Sequence, residues 1–172
     1  MSQSVNQNLV ALRMAIQTEI DGYEFYTRAA AQAQHPRTQA LFQNVAQDEI
    51  GHREWLEAQA ASLRRDGHWL PQQLPQTKEI PDAAAGLPIF AKEHIVDISA
   101  HTSELTALRT AVLIEQDAVN FYRRAAGQID DPAGKEMFEF LADFEAGHRR
   151  VLEEEYNFLL AAFRDEMGFA PF

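Results

Sequence analysis
At a shift of 96 residues the chain aligns with itself over most of its length, so whatever one copy folds into, the other must fold into as well. Residues 9–32 fall on residues 105–128 with 13 identities in 24 positions. Among these are Glu19 on Glu115, Phe25 and Tyr26 on Phe121 and Tyr122, and Arg28, Ala29 and Ala30 on Arg124, Ala125 and Ala126. The match continues through Pro36 on Pro132, Phe42 on Phe138, Glu49 on Glu145, and Gly51, His52 and Arg53 on Gly147, His148 and Arg149. Shared composition does not produce a match of this length. With 172 residues, 46% of them hydrophobic, there is material for one sizeable core, and the two copies are expected to share it as a single domain over residues 1–172.

Apolar residues recur in both copies with a heptad period rather than by alternation, which predicts helices and an all-α fold. The first helix carries a seam of Leu9, Leu12, Ile16, Glu19, Tyr23, Tyr26 and Ala30, repeated as Leu105, Leu108, Val112, Glu115, Val119, Tyr122 and Ala126. The second carries Phe42, Val45, Glu49, His52 and Leu56, repeated as Phe138, Leu141, Glu145, His148 and Leu152. Pro36 and Pro132 suit a first helical turn, where the missing N–H costs nothing, and Asp131 is placed to cap the helix that Pro132 opens. Four helices are expected at 5–33, 36–65, 103–128 and 132–164, forming hairpins over 5–65 and 103–164.

Between the hairpins, residues 66–102 hold Gly67, Pro71, Pro75, Pro81, Gly86 and Pro88 with no sustained period, which reads as a connection with at most a short helix over 89–97. Neighbouring antiparallel helices need far fewer residues. A helix of about 30 residues is roughly 45 Å long, and about 14 extended residues span that distance, so the connection is long enough to cross the whole bundle and turn the second hairpin end for end.

Within that bundle two Glu-x-x-His motifs occur, Glu49 with His52 and Glu145 with His148. One such motif means little, since 16 Glu and six His in 172 residues give about half a match by chance. These two are related by the 96-residue shift, and all four residues occupy seam positions otherwise filled by Leu, Phe and Val. A solvated charged face does not explain that placement. Glu19 and Glu49 lie equally far on either side of the first turn, roughly 22 Å along the helices, and Glu115 and Glu145 flank the second turn in the same way. With the turns at opposite ends, four glutamates and two histidines meet in one core layer. Four buried carboxylates must be protonated, paired with cations or bound to metal, and two divalent ions would neutralise them while each takes one imidazole.

The rest of the composition narrows the chemistry. The formal net charge of −11 disfavours nucleic acid and anionic membrane as partners. Without cysteine there are no disulfides, thiolate metal sites or iron–sulfur clusters, and a metal must take carboxylate and imidazole. No signal peptide or apolar span of membrane length is evident, and a cytoplasmic location is expected.

Glu19, Glu49, His52, Glu115, Glu145 and His148, with their Phe-Tyr and Arg-Ala-Ala surroundings, give the chain a pattern that resembles the rubrerythrin-like branch of the ferritin-like superfamily, whose fold is a four-helix bundle with one long crossover. The resemblance implies two iron ions, with Mn or Zn as alternatives. Glu49 and Glu145 would bridge them, with Glu19 and His52 as terminal ligands on one side and Glu115 and His148 on the other. Typical rubrerythrins append a cysteine-rich rubredoxin domain, so here electrons are expected from a separate donor protein or from Fe(II). They also carry a further glutamate where this chain has Ala118, which leaves a six-ligand set closer to the bacterioferritin pattern. Bacterioferritins place a haem-ligating methionine where Ile50 stands, so no haem is expected. A homodimer is expected rather than a ferritin shell, whose fifth helix has no counterpart in the sequence.

The expected activity is reduction of hydrogen peroxide or dioxygen with oxidation of Fe(II), of peroxidase or ferroxidase type; the alternative is a non-catalytic metal-binding or iron-sequestering protein. Tyr26 and Tyr122, seven residues after Glu19 and Glu115, are candidates to hydrogen-bond ligand carboxylates or relay electrons, or are core aromatics with satisfied hydroxyls; Tyr23 shares that ambiguity. Gly51 and Gly147, inside helices beside the motifs, point to close packing or to metal access. His35, His68, His94 and His101 read as surface or linker residues. Asp48 and Asp117 lie close to ligands in sequence, but neighbours on a helix point in different directions, and both are left out of the site.

Overall fold
Four helices carry the architecture of the computed structural model, which describes residues 3–71 and 98–166. They are α1 (Gln3–Gln32), α2 (Pro36–Asp66), α3 (Ile98–Gln128) and α4 (Pro132–Glu166). Seven of the eight boundaries fall within two residues of expectation. The exception is α3, which begins five residues before the expected 103, because residues 98–102 contain neither glycine nor proline to stop it. The short helix expected over 89–97 lies outside the described residues.

Local chemistry sets the turns. Pro36 opens α2 as expected. Asp131 caps α4, its Oδ1 accepting the backbone N–H of Ala133 at 2.9 Å and of Gly134 at 3.4 Å. Gly67 ends α2 in the left-handed region, φ 73°, with its N–H bonded to the Leu63 carbonyl at 3.1 Å. The chain after it folds back: Leu70 N–H donates to buried Gln59, and Trp69 lies against Gly134 so closely that a Cβ there would fall 2.4 Å from the indole.

Each hairpin packs tightly on itself, and the hairpins meet through α1 with α3 and α2 with α4. The core has two apolar clusters. One joins Leu9 and Leu12 of α1 to Leu56, Tyr122 and Phe138, together with Trp69; the other joins Tyr26, Phe42, Leu108 and Leu152. The beginning of α1 thus packs on the end of α3, and the two turns sit at opposite ends of an antiparallel bundle. Between the clusters lies the layer that holds the glutamates and histidines.

The ends of the two copies have diverged. Where the first cluster has Gln59 and Gly134, the repeat-related positions at the other end are Glu155 and Thr38. Buried Glu155 accepts from Thr38 Oγ1 at 2.7 Å and pairs with Arg37 Nε at 2.6 Å, while half-buried His35 donates its backbone N–H to buried Glu104 at 3.1 Å. His35 is therefore part of the turn's polar packing rather than a free surface residue; His68 is exposed, as expected.

Gly51 and Gly147 do not serve close packing, because a Cβ at either meets no atom within 4 Å. Helical glycine costs about 1 kcal/mol relative to alanine. Gly51→Ala and Gly147→Ala are each expected to raise the melting temperature by about 2–4 °C for a chain of this size, read by calorimetry on metal-free protein. A fall in either would show that the glycine is required by something other than helix packing.

Candidate metal centre
Each of the six expected ligands comes from the buried side of a helix: Glu19 from α1, Glu49 and His52 from α2, Glu115 from α3, Glu145 and His148 from α4. All are 4% exposed or less, at positions where an unpaired charge would be strongly disfavoured. Together they make two overlapping sets whose ligand atoms lie within 4.8 Å of one another, Glu19, Glu49, His52 and Glu145 in one and Glu49, Glu115, Glu145 and His148 in the other.

Glu49 and Glu145 belong to both sets, and their carboxylates span the centre. Glu145 presents Oε1 to His52 Nδ1 at 3.2 Å and Oε2 to His148 Nδ1 at 2.9 Å. Glu49 does the same at longer range, Oε2 at 3.7 Å from His52 Nδ1 and Oε1 at 4.0 Å from His148 Nδ1. Glu19 Oε2 lies 3.1 Å from His52 Nδ1, and Glu115 Oε1 lies 3.7 Å from His148 Nδ1. Room for Glu49 is made by Gly22 of α1, where a Cβ would stand 3.3 Å from its carboxylate carbon.

Tyr26 and Tyr122 bind the ligand carboxylates crosswise. The Tyr26 hydroxyl donates to Glu115 and the Tyr122 hydroxyl to Glu19, so each phenol braces the glutamate of the other hairpin. Helical side chains lean toward the helix N-terminus, which brings a residue two turns beyond Glu19 back toward the level of the centre. Both tyrosines are fully buried with their hydroxyls bonded to the expected ligand carboxylates, so the hydrogen-bonding and core-aromatic readings hold together. Tyr23 instead lines an outer groove between α1 and α2.

One residue left out of the site belongs beside it. Asp48 Oδ2 lies 3.2 Å from His148 Nε2, on the side of the ring away from the centre. Neighbours on a helix do point apart, but that excludes Asp48 only from the ligand set; α4 brings a histidine to the direction in which it does point. Asp117, also left out, lines a groove between α1 and α3 with Asp21, Gly22 and Ala118.

The electrostatics are those of a cation site. Burial pushes Glu19, Glu49 and Glu115 above the ordinary carboxylate range, with the Glu145 charge adding to the rise. Burial acts on Glu145 in the same direction, but the charges of His52 and His148 outweigh it and hold this carboxyl below the usual range. The imidazoles respond in turn: burial alone would lower them, yet Glu145 and the other surrounding carboxylates raise both well above the ordinary value. Both kinds of shift have the same cause, four carboxylates crowded into one buried layer, and a bound cation would relieve it. The donor set fits two divalent ions: four carboxylates balance their charge, each imidazole turns Nδ1 inward, and the only donor near the buried Oε1 of Glu145, His52 Nδ1, is bonded to Glu19.

An antiparallel four-helix bundle with a long connection between its hairpins and a buried carboxylate–histidine layer at mid-height defines a ferritin-like protein able to bind metal. The sequence matches the family model for the ferritin-like domain over residues 7–157, and the chain belongs to that family. A hypothetical protein from Pyrococcus furiosus has a similar structure, with a TM-score of 0.66 over 90% of each chain at 23% identity, a likeness of fold. The sequence matches no curated protein. Among the described residues no helix is long and apolar enough to cross a membrane.

Proposed function
We propose that the chain is a rubrerythrin-like, non-haem di-iron protein that reduces hydrogen peroxide or dioxygen while Fe(II) is oxidised. The observation that carries this reading is the pair of overlapping four-residue sets sharing Glu49 and Glu145, a donor arrangement for two adjacent ions rather than one. Glu19 and His52 would complete one position, Glu115 and His148 the other. Bound there, two Fe(II) ions would supply two electrons to an O–O bond, and carboxylate-rich ligation would favour the ferric product.

The chain's own residues hold and shield that chemistry. Glu145 and Glu49 fix the separation of the two positions, each offering one oxygen to either side. The apolar clusters above and below keep bulk water from the layer. Tyr26 and Tyr122 orient Glu115 and Glu19, and burial together with the Glu115 charge keeps the Tyr26 hydroxyl protonated well above the ordinary phenol range. The reductant in this reading is a donor protein or Fe(II) itself.

Anaerobic protein loaded with Fe(II) and mixed with one equivalent of peroxide is expected to oxidise quickly by stopped-flow absorbance, and to turn over repeatedly when a reductase and rubredoxin are supplied. His52→Ala and His148→Ala should slow the first oxidation by at least about tenfold, since each removes a nitrogen ligand outright where even an outer partner is worth 10–100-fold. Equal rates without the histidines would remove them from the mechanism. Tyr26→Phe and Tyr122→Phe separate relay from orientation: a relay requires turnover to fall while metal uptake stays intact. Accumulation of Fe(III) beyond two ions per chain with little peroxide consumed would mark an iron store instead.

A further inference from the structure
The repeat supplies the two halves of the centre with the same ligands, but not with the same support. The residue before the shared glutamate is Asp48 in α2 and Phe144 in α4. Asp48 accordingly places a carboxylate oxygen 3.2 Å from Nε2 of His148. Its counterpart has no oxygen to offer. Phe144 meets the His52 ring edge to face, centroids 4.5 Å apart at 89°, and His52 Nε2 is buried with no hydrogen-bond partner.

We infer that the two metal positions are unequal, and that Asp48 makes the one formed by Glu115 and His148 the tighter and the first to fill. The inference rests on the two-metal reading above. An imidazole that binds a metal through Nδ1 must carry its proton on Nε2, and an acceptor beyond Nε2 fixes that tautomer, holds the ring in plane and raises its basicity. At His148 the acceptor is a carboxylate oxygen already 3.2 Å from Nε2 before metal arrives. At His52 the same N–H is buried with no acceptor, and Phe144, which packs edge to face on both imidazoles, supplies none. Outer partners of this kind change metal affinity by about 10–100-fold, which is the difference expected between the two positions. Asp48 is a positioning residue: it acts on the ion only through His148, and its side chain is 36% exposed, so replacing it leaves the core intact.

The test is anaerobic titration of the metal-free full-length chain with Co(II), followed by visible absorption, with crystals at one Co(II) per chain examined by anomalous scattering. The wild type should bind two ions in steps separated by about 10–100-fold, and the first ion should lie on the Glu115 and His148 side. Asp48→Ala should weaken the tighter step toward the weaker one and leave the weaker step and the total of two unchanged. Asp48→Asn should fall between, because its amide oxygen still accepts from Nε2 without the charge. Equal steps in the wild type, a first ion on the Glu19 and His52 side, or unchanged affinities in Asp48→Ala would overturn the inference while leaving a two-metal centre standing. No uptake of Co(II) by the wild type would overturn both.

Discussion

Glu49→Ala and Glu145→Ala should each cut the metal content from two ions per chain to one or none. Both carboxylates belong to both ligand sets, and each offers one oxygen to the His52 side and the other to the His148 side. Removing either takes a ligand from both positions at once and leaves three carboxylates for four positive charges. Glu19→Ala and Glu115→Ala remove a ligand from one position only, and their cost should fall mainly on that position. Elemental analysis after anaerobic reconstitution with Fe(II) and gel filtration reads the difference. Two ions retained in either bridging variant would show that the shared glutamates do not bridge.

The second large effect is on stability, and its sign depends on whether metal is present. In the metal-free protein Glu19, Glu49 and Glu115 have folded pKa values raised above their unfolded ones, as do His52 and His148. A raised group contributes stability that is complete below its unfolded pKa and lost as pH climbs through the folded value. Glu145 is lowered and works oppositely, its contribution being lost only when pH falls through its folded value at the acid end. Five groups therefore make the metal-free protein melt at progressively lower temperature as pH climbs from their ordinary values, 4.5 for the carboxyls and 6.5 for the imidazoles, through their raised folded ones. Metal reverses the trend, because ligation needs ionised carboxylates and neutral imidazoles and so strengthens as protons leave. At about 1,000 times its Kd a ligand adds about 4 kcal/mol per site. Two sites should then raise Tm by on the order of 20 °C for a chain of this size. Calorimetry with and without Mn(II), an ion that resists air oxidation, should show the gap widening with pH. A metal-free Tm that rises across that range would contradict the assignment of these groups as one mutually charged cluster.

The convergence of the four glutamates and two histidines was readable from the sequence because a repeat fixes geometry. Glu19 and Glu49 lie equally far from the first turn and Glu115 and Glu145 equally far from the second, so helical rise alone brings them to one height once the turns are at opposite ends. What escaped was decided between helices rather than along them. That Tyr26 reaches Glu115, and Tyr122 reaches Glu19, depends on α1 lying against α3, a neighbour relation no heptad encodes. Asp48 was excluded by a rule about residues on one helix, and its partner His148 is 100 residues away on another.

Other misses did have a signal. Continuing the seam one step beyond Leu56 and Leu152 reaches Gln59 and Glu155, both 1% exposed, and a polar residue on a core seam asks for a partner. Gln59 finds the backbone of Leu70, and Glu155 finds Arg37 and Thr38. The two copies thus share the middle of the bundle and differ at its ends, where one is closed by the indole of Trp69 over Gly134 and the other by an ion pair. The early start of α3 had only a negative signal, the lack of any helix breaker in residues 98–102.

The measurement that bears most directly on the metal centre is the metal content of the wild-type chain, purified without added metal and then titrated with Fe(II) in the absence of oxygen. Four buried carboxylates and two inward-turned imidazoles should hold two ions per chain, with uptake complete at two equivalents. A chain that stays metal-free through that titration, with either Fe(II) or Mn(II), would contradict the centre itself.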